Sequence, residues 1–87
     1  MKNSIKLLKI DFDLLNKNIE FGADLFTVEF INENECKLTF DNIEKALDFD
    51  ELIKDRLIYM GFDKDYNPTR FGQICEDIID KMYKILN

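Results

Sequence analysis

The stretch LFTVEFINENECKLTF, residues 25–40, limits the fold more than any other part of the chain. Phe26, Val28 and Phe30 alternate with Thr27 and Glu29; Cys36, Leu38 and Phe40 alternate with Lys37 and Thr39. A period of two puts one set of side chains on one face of an extended strand. The polar NENE between the runs is a turn, so the segment reads as a β-hairpin. A lone hairpin is marginal in water, and an aromatic face needs a cover. The rest of the chain has to supply helices for it.

Residues 4–19 are open to two readings. Ile5, Leu8, Phe12, Leu15 and Ile19 step by three and four, as on a helix, whereas Leu8, Ile10, Phe12 and Leu14 alternate as on a strand. The helical pattern covers more residues and is adopted, with Asn3 or Ser4 as its cap and FGAD around Gly22 as its end. The next helix spans NIEKALDFDELIKDRLIYMG, residues 42–61, with Ala46, Phe49, Ile53, Leu57 and Met60 on its core face. Asp41 and Glu44 have capping-box spacing, and Asp48 and Glu51 repeat it, which leaves open a break near DFD. Gly61 reads as the residue that ends this helix, with Phe62 as its apolar contact. DKDYNPT, residues 63–69, is a loop in which Asn67 caps and Pro68 opens the last helix. That helix carries the cleanest stripe: Phe71, Ile74, Cys75, Ile78, Met82, Ile85 and Leu86. The expected fold is α+β, a single compact domain over residues 1–87, with an N-terminal helix, a β-hairpin and two or three further helices.

Eighteen acids against 12 bases give a net charge of −6. That balance argues against direct, sequence-independent nucleic-acid binding, which needs clustered Lys and Arg, and against docking on an anionic membrane. No apolar run approaches the roughly 20 residues of a transmembrane helix. Asp11 and Asp13 follow the first apolar residues too soon for a signal peptide, so a cytoplasmic protein is expected. Cys36 and Cys75 occupy apolar positions in the two patterns and are expected to be buried free thiols.

The chain has no histidine, which removes the commonest general base and metal ligand at neutral pH. Paired carboxylates remain: Asp11 with Asp13, Asp63 with Asp65, and Glu76 with Asp77 and Asp80. None lies in a catalytic motif, and DFD and DKD lack the glycine and later glutamate of a calcium loop. Three scattered glycines make no phosphate-binding loop. The expectation is a protein that is not an enzyme, with no catalytic residues, no metal and no cofactor.

One feature of residues 42–61 works against helix stability. Glu44, Asp48, Glu51 and Asp55 recur at steps of four, three and four, so they form one stripe about 60° wide. Like charges at this spacing repel by a few tenths of a kcal/mol per pair. The stripe lies opposite the apolar face, and Lys45, Lys54 and Arg56 project away from its centre line. Tyr59 stands at one edge and Ile58 at the other. Acids bordered by an aromatic and an aliphatic residue suit a protein interface with a basic partner. The candidate partner-binding residues are therefore Glu44, Asp48, Glu51, Asp55 and Tyr59.

The segment from Tyr66 to Lys81 has an aromatic, a turn, Gly72 and then ICEDIID. It resembles a stretch of small bacterial toxin-immunity proteins of the bacteriocin and contact-dependent growth inhibition type, where a glycine precedes a helix reading Ile-x-Glu-x-Ile-Ile-Asp. The resemblance covers about a fifth of the chain. It implies an acidic single-domain inhibitor that covers the basic active site of a nuclease toxin. It transfers no site residue. Two other readings stand beside it: a phage-encoded inhibitor of a host defence nuclease acting by DNA mimicry, and a structural subunit of a larger complex.

Overall fold

The computed structural model describes residues 3–22 and 24–86. Its elements are β1 (Asn3–Leu8), α1 (Lys9–Asn18), β2 (Thr27–Phe30), β3 (Glu35–Phe40), α2 (Ile43–Met60) and α3 (Arg70–Leu86). The expected hairpin is β2–β3, paired antiparallel with Val28 opposite Leu38 and Phe30 opposite Cys36. The architecture is α+β.

The sheet has a third strand. Residues 3–8, read above as the start of a helix, pair antiparallel with β3, Ile5 opposite Leu38 and Leu7 opposite Cys36. The sheet order is β1-β3-β2. The physical reason is burial. As a strand the segment buries both Ile5 and Leu7, and leaves Leu8 47% exposed, although Leu8 belonged to the helical stripe. It also turns a marginal two-stranded ribbon into a sheet. The helix begins only at Lys9, after Leu8 in extended conformation, so neither Asn3 nor Ser4 caps it. It ends at Asn18, four residues before Gly22, where Ile19 returns to extended backbone. The alternation from Leu8 to Leu14 lies mostly in α1.

The core lies on the sheet face that carries Ile5, Leu7, Cys36, Leu38 and Phe40. Phe12, Leu15, Phe49, Ile53, Ile74, Ile78 and Met82 close over it from the helices. Phe26, just before β2, meets Phe12, Phe21, Phe40 and Phe49 edge-on, with centroids 5.2–6.3 Å apart. Edge-to-face packing matches positive ring edges to negative ring faces.

The helix α2 is continuous through DFD, with no break. Its cap is Asn42 rather than Asp41: the Asn42 Oδ1 accepts from the Lys45 N–H at 2.9 Å, while Asp41 pairs with the Lys45 ammonium. Gly61 does end the helix, in right-handed conformation, its N–H donating to the Leu57 carbonyl at 2.8 Å. The cap of α3 is Thr69, two residues beyond the expected Asn67. Its hydroxyl accepts from the Gly72 N–H at 3.0 Å and donates to the Met60 carbonyl at 3.1 Å, and its own N–H donates to the Gly61 carbonyl at 2.8 Å. Thr69 wins because it ties both helices together at once. Asn67 is spent in the loop, where its N–H donates to Asp63, and Pro68 bridges to Phe62. A Cβ on Gly72 would overlap the Gly61 carbonyl, so α2 and α3 touch there backbone to backbone.

Candidate protein-binding face

The solvent side of α2 begins with the four acids. Glu44, Asp48, Glu51 and Asp55 are all exposed, while Ala46, Phe49 and Ile53 on the opposite side are buried. The helix thus holds the four predicted carboxylates on one face, as their spacing requires. None of them makes an ion pair or hydrogen bond among the described residues. Tyr59 is 74% exposed at the C-terminal end of the stripe, beside Ile58 at 76%.

The bases on this helix are directed elsewhere. Lys54 pairs at 2.8 Å with Asp50, a carboxylate buried to 6% exposure at the margin of the core. Lys45 pairs with Asp41 at 3.3 Å. Arg56 is half-buried and its Nε has no hydrogen-bond partner among the described residues. The pairing of Asp50 with Lys54 escaped the sequence reading, although its step of four was a usable signal. Its effect is that Lys54 is held by Asp50 and makes no ion pair with the stripe among the described residues.

Leu47, 45% exposed, was also missed. On a helical wheel it lies on the same flank as Ile58, so the acids run between an aliphatic side and a tyrosine. Beyond the helix, Phe62 is 42% and Tyr66 86% exposed. Tyr66 holds φ at 64°, an unusual conformation for a bulky residue. Asp63 fixes that turn: its carboxylate accepts from the Asp65 and Asn67 N–H groups, and its carbonyl accepts from the Tyr66 N–H. The DKD carboxylates therefore belong to a loop whose first member organises its own backbone.

The other acidic pairs are dispersed. Asp11 meets Arg70 at 2.7 Å, joining α1 to the start of α3. Asp77 meets Lys81 at 3.0 Å along α3. Among the described residues no group of three or more acids and cysteines is arranged to hold a metal, and no helix is long and apolar enough to cross a membrane. Cys36 and Cys75 are buried free thiols. Burial, aided by the Asp13 charge and opposed by Lys9, raises the Cys36 pKa; burial, then Glu76, pushes Cys75 up to about 11. A thiol so placed is a poor nucleophile at neutral pH.

Comparison with family models, curated proteins and solved structures finds no match.

Proposed function

We propose that this chain is a non-catalytic inhibitor that covers the basic active site of a nuclease toxin, as an immunity protein does. One observation carries the reading: α2 keeps four exposed carboxylates in one stripe, unpaired among the described residues, while the lysines of the same helix are held by other acids. Exposed Leu47, Ile58 and Tyr59 border the stripe with apolar area. A nuclease site is basic because it binds phosphates. An acidic face approaches it quickly, since complementary charge raises association rates. Carboxylates one helical turn apart stand about 6 Å from each other, near the scale of successive phosphates.

The test is inhibition. The tagged chain is used to capture proteins from its native host, and captured proteins are assayed for nuclease activity with and without added chain. A basic nuclease silenced at a 1:1 ratio is the expected result. Asp48→Lys with Glu51→Lys should abolish the silencing while the variant stays folded. Capture of no basic protein, or silencing untouched by the double substitution, would remove the α2 face from the mechanism. A defence nuclease in place of a toxin would keep the mechanism and change the target.

A further inference from the structure

The outer edge of β1 is bordered by lysines in a molecule of net charge −6. β3 lies between β1 and β2, so among the described residues β1 has a strand on one side only. The register tells which groups point outward. The Ile31 N–H donates to the Glu35 carbonyl at 3.0 Å, so Glu35 faces β2, and by alternation Lys37 and Thr39 face it too. Lys6 and Ser4, opposite Lys37 and Thr39, therefore turn their N–H and C=O groups to the outer edge. The Lys6 carbonyl accepts the Lys81 ammonium of α3 at 2.7 Å. Between this edge and α3 runs a groove of about 280 Å³ lined, among the described residues, by Ser4, Ile5, Lys6, Lys81, Lys84 and Ile85: three lysines and no acid. Lys81 is shared with Asp77, whereas Lys6 and Lys84 make no ion pair among the described residues.

We propose that this edge takes an extended acidic segment of a partner protein as a fourth strand, its carboxylates seated on Lys6 and Lys84. Strand addition supplies main-chain hydrogen bonds, and side chains at alternate positions supply specificity. Charge chooses the occupant. A basic strand would bring further cations to three lysines. A second copy of β1 would bring its own lysine to an edge already bordered by three, and like charges gathered on a strand pair are unfavourable. An acidic strand meets opposite charge and finds Ser4 and Lys6 N–H groups turned outward. This site is independent of the α2 face.

The probe is a blocked hexapeptide alternating glutamate and valine, titrated into the ¹⁵N-labelled full chain. Binding with shifts and slowed exchange at the Ser4 and Lys6 amides is the expected result. Lys6→Glu with Lys84→Glu should weaken binding about tenfold or more. Ser4→Pro removes one outward donor at an edge position where proline is tolerated and should weaken binding too. Equal binding of a glutamate–proline peptide or of inorganic polyphosphate would reduce the site to electrostatic adhesion and overturn strand addition. So would equal binding of a lysine–valine peptide, shifts confined to α2, or no binding.

Discussion

Thr69 and Gly72 act together where α2 hands over to α3. The Thr69 hydroxyl is cap and tether at once, accepting from the first turn of α3 and donating to the end of α2, where the Thr69 N–H adds a second bond. Thr69→Val keeps the shape and deletes the hydroxyl, so it should lower stability by about 1–2 kcal/mol, the cost of a lost cap. Gly72→Ala adds a methyl group against the Gly61 carbonyl and should cost about 1–3 kcal/mol or more as the helices are pushed apart. Denaturant midpoints of the two variants measure both. A second residue-scale expectation concerns Cys75, whose folded pKa is raised from the ordinary 9.0 to about 11. The unfolded thiol ionises first as pH rises. Stability from this residue is therefore complete below pH 9 and declines towards pH 11, by about 2 kcal/mol. Cys75→Ala should flatten that alkaline decline, read as unfolding midpoint against pH, and a slope unchanged by the substitution would contradict it.

Among the elements, β1 is the one the sequence concealed, and the reason lies in five residues. Ile5, Leu8, Phe12, Leu15 and Ile19 fit a helix, and four of them are buried. The stripe failed only at Leu8, because the backbone changes from strand to helix within the run and carries the apolar positions across the change. Periodicity reports which residues face a core, and says less about the backbone that brings them there. Leu7→Ala should accordingly cost about 2–4 kcal/mol and Leu8→Ala well under half of that. A helix would give the opposite order. The hairpin was legible because its alternation is uninterrupted, and α3 because its stripe is long. The caps were less so: Thr69 outcompetes Asn67 through its contact with the end of α2, and Asn42 takes the Lys45 N–H while Asp41 is left to the Lys45 ammonium. On α2, the exposed acids followed from spacing alone, whereas the diversion of Lys54 to the buried Asp50 did not. Asp48→Lys with Glu51→Lys should leave the unfolding midpoint unchanged or raise it slightly, as repulsion within the stripe is relieved. A clear fall in the midpoint would make those carboxylates structural.

At the scale of the whole molecule, a net charge of −6 on 87 residues adds self-repulsion to the folded state. Added salt screens exposed charges more than buried ones. The thermal midpoint should rise by a few degrees between low and moderate sodium chloride, and the rise should shrink in the Asp48→Lys, Glu51→Lys double variant. The sheet order β1-β3-β2 adds a further consequence, in time. The central strand is the last of the three to be synthesised, so β1 leaves the ribosome with no ladder to join. The β2–β3 hairpin can form from local contacts, its turn held by Asn32, which accepts from the Asn34 and Glu35 N–H groups at 2.8 and 3.0 Å. β1 then closes a long loop onto it, an entropic cost that favours a late event. Refolding kinetics should divide accordingly: Asn32→Ala slows folding, while Leu7→Ala chiefly speeds unfolding.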